Sequence, residues 1–406
     1  MPERFDAVVV GGSQAGLSTS HELTQAGVDH VVLERTRIGQ TWHDLWESFC
    51  LVTPNWSVQL PGHPYDGDDP DGFMPRDEIV AYLRRYATAT GTPIREGTEV
   101  TSIEPDREGF VVRTPNGVLE ADSVVVSTGA YQRSYRPPGS ETLGDHLLQL
   151  DVRSYREPAR IPEGRVLVIG SGQSGCQLAE ELHEAGRDVV LSCGRAPWLP
   201  RRIGDHDLVW WLAETGFLDV PVTTLSPPQA RLWSNPLSSG HEGGHDLHLR
   251  TLHATGVPLV GRFLGQDDGR FHFADDLAGC IAWGDDRYRD FRELVRKLAA
   301  ERGIDATGLM PDPSPLPIDP PTDISAGDFG TVVFTGGFRP DYSSLVAIPG
   351  CFDELGYPIH VDGQSSRVPG LFFVGVHFLR KRKSAILYGV GEDAAIVAAG
   401  VAARRP

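Results

Sequence analysis

The chain is 406 residues long, enough for two domains that each bury a core of their own. Its 55 acidic and 37 basic side chains give a formal charge of −18, which excludes the extended basic surface that nucleic-acid backbones require. With 40% hydrophobic and 23% charged residues it reads as a globular protein, and no apolar run reaches the roughly 20 residues that span a bilayer.

The five cysteines (Cys50, Cys176, Cys193, Cys280 and Cys351) are odd in number and show no CxxC spacing. That pattern excludes a disulfide framework and a paired-thiol redox motif, and it fits a reducing compartment. The start Met1-Pro2-Glu3-Arg4-Phe5-Asp6 lacks the basic segment and apolar core of a signal peptide, so a cytoplasmic protein is expected.

From the N-terminus, Ala7-Val8-Val9-Val10 predicts a buried strand. The turn Gly11-Gly12-Ser13-Gln14-Ala15-Gly16 then opens an amphipathic helix that stops at Ala26-Gly27, and a second apolar strand closes on Glu34-Arg35. The same text recurs further on. A strand through Ile169 meets Gly170-Ser171-Gly172-Gln173-Ser174-Gly175, a helix stops at Ala185-Gly186, and an apolar strand runs to Ser192. Each copy is a βαβ unit.

Glycines at such a turn permit the sharp bend, the close approach of backbone to a pyrophosphate, and tight contact between helix and strand. The second copy has all three, Gly170, Gly172 and Gly175, whereas the first has Ser13 at the middle position. Glu34 stands where a carboxylate accepts hydrogen bonds from ribose hydroxyls. The second copy has Ser192 at the strand end, followed by Arg195, Arg201 and Arg202. A carboxylate repels a 2′-phosphate and arginines bind it, so the first site is expected to take an adenosine with a free ribose and the second to prefer NADPH over NADH. Solvated surface charge is the alternative for Arg201 and Arg202.

Further segments carry a resemblance. They are Ile38-Gly39-Gln40-Thr41-Trp42, Thr53-Pro54-Asn55-Trp56, and Phe73-Met74-Pro75-Arg76-Asp77-Glu78 leading to Glu99-Val100. Ser127-Thr128-Gly129, Thr335-Gly336-Gly337 and Gly370 through Gly375 complete the set. With the two Gly-rich turns, these make the chain resemble the class B flavin-dependent monooxygenases, the group of flavin-containing, N-hydroxylating and Baeyer–Villiger enzymes. It is most similar to their short bacterial members and to the plant auxin-forming enzymes. The resemblance runs over nearly the whole length and is weakest between about 205 and 325.

The resemblance implies an α/β fold of two Rossmann-like dinucleotide-binding domains, one inserted in the other. The FAD domain would comprise residues 1–158 and 327–406, and the NADPH domain residues 159–326. It implies that Gln40, Thr41 and Trp42 line the flavin, that Thr128, Gly129 and Gly375 approach it by backbone, and that a strand at Glu99-Val100 touches adenine. Asn55 is the catalytic candidate, with a turn-capping role as the equal alternative. The implied chemistry is reduction of FAD by NADPH, activation of O2 as a C4a-peroxyflavin, and oxygenation of a small organic substrate. No nucleic-acid or membrane partner is expected, and a homodimer is left open.

One departure stands out. Where the family fingerprint has Phe, Gly and His before a Tyr or Phe, this chain has Asp145, Leu147 and Asp151 before Tyr155. An FAD- and NADPH-dependent reductase or oxidase that inserts no oxygen, and a non-catalytic nucleotide sensor, therefore stay open.

Other segments compete with these. His241-Glu242-Gly243-Gly244-His245 has zinc-protease spacing, but adjacent glycines cost about 1 kcal/mol each in a helix, so a loop without metal is expected. The run Arg380-Lys381-Arg382-Lys383 reads as a solvated loop, with a phosphate contact as the alternative. Trp198, Trp210, Trp211 and Trp233 are candidates for shaping the substrate cleft.

Overall fold

The computed structural model describes residues 2–233 and 235–405. Strand β1 (Glu3–Val10), helix α1 (Gln14–Gln25) and strand β2 (His30–Leu33) form the first βαβ unit, with β1 and β2 parallel from Ala7↔His30 to Val10↔Leu33. Helix α2 (Arg76–Ala89) leads to the short strand β3 (Ile94–Arg95), which pairs parallel with β2. On the other side of β1 lies β4 (Gly117–Val126), also parallel, fed by the antiparallel strands Ser102–Asp106 and Gly109–Thr114. Val8, Val9, Val124, Val125 and Val126 are fully buried. Near-continuous β-branched runs suit strands covered on both faces, as parallel strands usually are.

After Val126 the chain crosses to a second sheet. Its strands are β5 (Leu148–Asp151), β6 (Arg165–Ile169), β7 (Val189–Ser192), Leu259–Val260 and, beyond a long helix, β8 (Phe329–Phe334). Helix α3 (Gln173–Glu184) joins β6 to β7, and the long helix α4 (Leu277–Arg302) packs against Leu208–Glu214 around Trp211, Tyr288, Phe291 and Val295. The spatial order is β5, β8, β6, β7, Leu259–Val260, all parallel. The chain then returns to the first sheet, where β9 (Leu371–Phe373) pairs with β4, and helix α5 (Val390–Ala402) shares a core with α1 through Val397 and Leu17.

The second sheet is thus written inside the chain of the first. The change of sheet, however, falls outside the expected boundaries at 158 and 327, because β5 bonds to β8 and β8 bonds to β6. The Pro-rich stretch 311–321 marks where the chain leaves α4, not where it changes sheet. The expected Glu99-Val100 strand is also absent. Those residues form an extended loop, and the strand begins at Ser102. Among the described residues no helix is long and apolar enough to cross a membrane.

Candidate functional site

The two glycine turns are nearly superimposable in their sterics. Gly11 and Gly170 both adopt φ +115°, a conformation that side chains disfavour. A methyl group on Gly16 would lie 1.8 Å from the Gly11 carbonyl oxygen, and one on Gly175 would lie 1.8 Å from the Gly170 carbonyl oxygen. Only hydrogen fits at either position, because strand end and helix start are in contact. The middle positions differ in need: Ser13 has φ −112° and Gly172 φ −72°, both ordinary, so serine there costs nothing.

Neither α1 nor α3 has a side-chain cap, and neither has an acidic residue in its first turn. Their leading N–H groups are therefore available to an anion, which the helix dipole also favours. A feature absent from the motif completes the duplication. The Ser127 hydroxyl, just after β4, donates to the Val10 carbonyl at 2.8 Å, and the Thr335 hydroxyl, just after β8, donates to the Gly170 carbonyl at 2.7 Å. Each hydroxyl ties the neighbouring strand to its turn.

The ribose edge corrects the sequence alignment of the two copies. Val10 pairs with Leu33 and Ile169 pairs with Ser192. The Gly11 N–H donates to the Leu33 carbonyl at 2.8 Å and the Gly170 N–H to the Ser192 carbonyl at 2.9 Å. By register, then, Ser192 corresponds to Leu33, and Cys193 is the counterpart of Glu34. The Ser192 hydroxyl is buried and donates to the Gly261 carbonyl at 3.0 Å, so it faces away from a ligand.

Glu34 accepts from the Gly12 N–H at 2.7 Å and from the Thr36 N–H at 3.0 Å. In the second copy Ser171 occupies the equivalent place with neutral bonds, accepting from the Gly194 N–H at 3.0 Å and donating to the Gly194 carbonyl at 3.1 Å. One edge carries a carboxylate and the other a buried thiol beside the exposed Arg195. Arg35 is likewise exposed.

Arg201, expected near a phosphate or in solvent, does neither. It is 3% exposed, pairs with Asp207 at 2.5 Å and donates to the Val52 carbonyl at 2.7 Å. Arg202 is exposed and donates to the Asp205 carbonyl at 2.6 Å.

Around the first turn, the Gln14 side-chain oxygen accepts from the Trp42 indole at 3.0 Å and from the Ser13 hydroxyl at 2.6 Å. Gln40 is half-buried between Arg37 and Asp44, and Thr41 is exposed. Gly375 lies against α1, since a methyl on it would sit 2.5 Å from Ala15 Cβ. Thr128 accepts from Gln132 at 2.8 Å, and the Gly129 carbonyl accepts from the Tyr342 hydroxyl at 2.9 Å. The loop through Val100 passes the ribose edge, because the Thr98 N–H donates to the Glu34 carbonyl at 2.8 Å.

Asn55 stands apart from these. It is 5% exposed, donates to the Asp69 carbonyl at 2.9 Å and accepts from the Met74 N–H at 2.8 Å. Both ends of its amide hold the 69–74 loop closed, which is the turn-holding role.

His241–Gly243 is a single 3-10 turn with Glu242 at φ +48°, so the two histidines share no helix face. His245 instead meets Glu180 at 2.8 Å. The run 380–383 is no solvated loop. Lys381 pairs with Asp219 at 2.7 Å and Glu392 at 3.0 Å, Lys383 joins the same two carboxylates, and Arg380 meets Asp393 at 3.1 Å. Of the tryptophans, Trp211 is core, Trp198 stacks on Tyr288, Trp233 meets Trp283 edge-on, and Trp210 lines a cavity of about 250 Å³.

Two βαβ units opened by matching uncapped glycine turns define an α/β protein with a duplicated Rossmann-like unit. Residues 8–213 match the family model described as pyridine nucleotide-disulphide oxidoreductase, and the chain belongs to that family, within its class B flavin monooxygenase-like branch. It is 32% identical over 396 residues to the "Uncharacterized oxidoreductase CzcO-like" of Geobacillus kaustophilus, covering 97% of each chain. It is 29% identical over 224 residues to Flavin-containing monooxygenase 5 of Oryctolagus cuniculus, covering 49% of this chain and 42% of that protein. A flavin-containing monooxygenase from Stenotrophomonas maltophilia shares the fold, with a TM-score of 0.69, 22% identity and 99% of each chain covered.

Proposed function

We propose that this protein is an FAD- and NADPH-dependent monooxygenase acting on a small organic substrate with O2. The observation that carries the reading is the matched pair of uncapped glycine turns, one edged by Glu34 and the other by Arg195 with no carboxylate. The uncapped helix starts support nucleotide binding, since their leading N–H groups are left for a pyrophosphate while Gly16 and Gly175 let helix and strand touch. FAD on the first sheet and NADPH on the second supply hydride transfer and oxygen activation when bound.

The chain's own residues do the holding. Backbone N–H groups from Ser13 to Gly16 take the FAD pyrophosphate, with Gly11 and Gly12 shaping the turn and Glu34 on the ribose. Gln14, Trp42, Thr128, Gly129 and Gly375 shape the flavin's surroundings. Gly170, Ser171, Gly172, Gln173, Ser174 and Gly175 cradle NADPH, with Arg195 on the 2′-phosphate. The burial of all five cysteines argues against disulfide reduction, because a reactive thiol needs exposure and a low pKa. Burial instead pushes Cys50 up to about 11 and Cys193 well above its ordinary value.

A yellow protein, bleached by NADPH faster than by NADH without air and inserting label from ¹⁸O2 into product, is the expected result. A colourless polypeptide unable to take up FAD would overturn the reading. Asp151, bonded to Arg136 in place of the fingerprint His, favours a second reading in which NADPH is oxidised without insertion. Stoichiometric peroxide and unlabelled products would select it.

A further inference from the structure

The cavity at Trp210 lies between the two parts of the chain. Its walls include Trp56 and Phe73 from the segment after the first βαβ unit and Trp210 from the second part. Its volume of about 250 Å³ is roughly eight water volumes, room for one amino-acid-sized molecule and too little for a nucleotide. Arg201 forms part of the lining. Although 3% exposed and paired with Asp207, it has a buried Nε–H without an acceptor. A buried donor left unmatched costs about 1–3 kcal/mol, and Arg201 keeps its positive charge beside the cavity. Arg202 adds a second cation at the rim.

The same cavity also presents opposite charge. Asp71 and Asp205 are exposed carboxylates on its lining, whereas Asp207 is committed to Arg201 and to the Val209 N–H at 2.7 Å. Between the charges the surface is aromatic, with the Trp210 ring stacked on His206 at 3.8 Å and Phe73 beneath the Arg201 guanidinium at 4.8 Å. The loop that carries Gly244 into this lining begins at Ser238, which holds Gln173 at the N-terminus of α3 through bonds of 2.7 and 3.2 Å. The cavity and the second nucleotide turn therefore share a support.

We infer that this cavity binds a zwitterion with an aromatic or other apolar body: a free α-amino acid or a close analogue. Arg202 takes its carboxylate with the buried Arg201 charge behind it, Asp71 and Asp205 take its ammonium, and the rings of Trp56, Phe73 and Trp210 enclose its side chain. The inference rests on the monooxygenase reading only in calling this molecule the substrate.

Calorimetric titration of the protein as purified with L-phenylalanine, 2-phenylethylamine and 3-phenylpropionate tests it directly. The zwitterion is expected to bind at least about tenfold more tightly than either single-charge congener. Arg202→Ala should abolish the preference over the amine, and Asp205→Asn the preference over the acid. Both side chains are exposed, so the fold should be intact, which thermal unfolding checks. Equal affinities for the three ligands, tighter binding of the amine, or unaltered preferences in both variants would overturn the site. NADPH-driven bleaching is measured separately. A protein that bleaches but treats the ligands alike loses this site only, and one that discriminates them but never binds flavin loses only the monooxygenase reading.

Discussion

A single methyl group tests the two nucleotide turns separately. Gly16→Ala and Gly175→Ala each place a carbon 1.8 Å from a backbone carbonyl that cannot move without breaking the strand end. Each should cost about 3 kcal/mol, the upper end of overpacking, measured by denaturant midpoint. The consequences then diverge. Gly16→Ala should lose flavin absorbance, while Gly175→Ala should remain yellow with a weakened response to NADPH. At the ribose edge, Arg195→Ala should raise the half-saturating NADPH concentration by roughly tenfold and leave NADH unchanged, since a charge-assisted bond contributes about 1.5 kcal/mol. Ser192→Ala should leave that selectivity alone, because the Ser192 hydroxyl is spent on Gly261. The glycines were legible in the sequence because their constraint is local, a clash within six residues. The Ser192 assignment was not, because apolar text shows that a strand exists but not which residue pairs with the turn. The register moved the counterpart of Glu34 on to Cys193.

Charged runs become structural elements when their partners lie far off in sequence. Lys381 meets Asp219 across 162 positions, so the run 380–383 looked solvated on the page and is an ion-pair latch in the fold. It is reinforced by backbone, with the Val222 N–H donating to the Arg380 carbonyl at 2.8 Å and the Arg382 N–H to the Val220 carbonyl at 3.1 Å. Lys383 has a side chain 9% exposed, facing carboxylates 43% and 44% exposed. Lys383→Met should therefore cost about 1–2 kcal/mol, between the surface and buried limits for an ion pair.

The pH dependence of this latch follows from both partners. Burial opposes the charge on Asp219 and Glu392, but bonds from Lys381 and Lys383 outweigh it and hold both carboxyls below their ordinary 3.8 and 4.5. Their contribution is present above those values and is lost as pH falls through the lowered ones. Burial likewise opposes the charge on Lys383, but Glu392 and Asp219 raise it above 10.5, so its contribution is present below 10.5 and is lost as pH rises through the raised value. The difference in stability between wild type and Lys383→Met should be flat from about pH 5 to 10 and shrink beyond either limit. A difference that varies within that window would remove the latch as its source.

At the scale of the molecule, two crossings carry the chain between the sheets, and one side chain joins them. Arg136, on the first crossing, bonds both oxygens of Asp151 at 3.0 Å and covers the Phe334 ring at 4.4 Å, where the second crossing begins. Beside it, Arg133–Ser134 pairs antiparallel with Phe338–Arg339, so the crossings form a two-stranded strap. The sequence disclosed that the chain leaves and returns, through its repeated unit and its resemblance. It could not disclose that β5 and β8 belong to the second sheet, because strands of four and six residues fit either. Asp151 sits where that strap meets the second sheet, a place from which to bias how the sheets approach each other, not to touch a reacting atom. Its pair with Arg136 is part-exposed, with side chains 40% and 29% accessible, so breaking it should cost about 1 kcal/mol. That is roughly fivefold in a two-state population. Asp151→Asn should thus slow anaerobic flavin reduction by NADPH up to about fivefold in stopped flow, with flavin content and unfolding temperature nearly unchanged. Arg136→Lys, which keeps the charge but loses the two-pronged bond, should slow it as well. Wild-type reduction rates in both variants would show that the strap holds the sheets without this pair, and that the departure from the family's His has no bearing on hydride transfer.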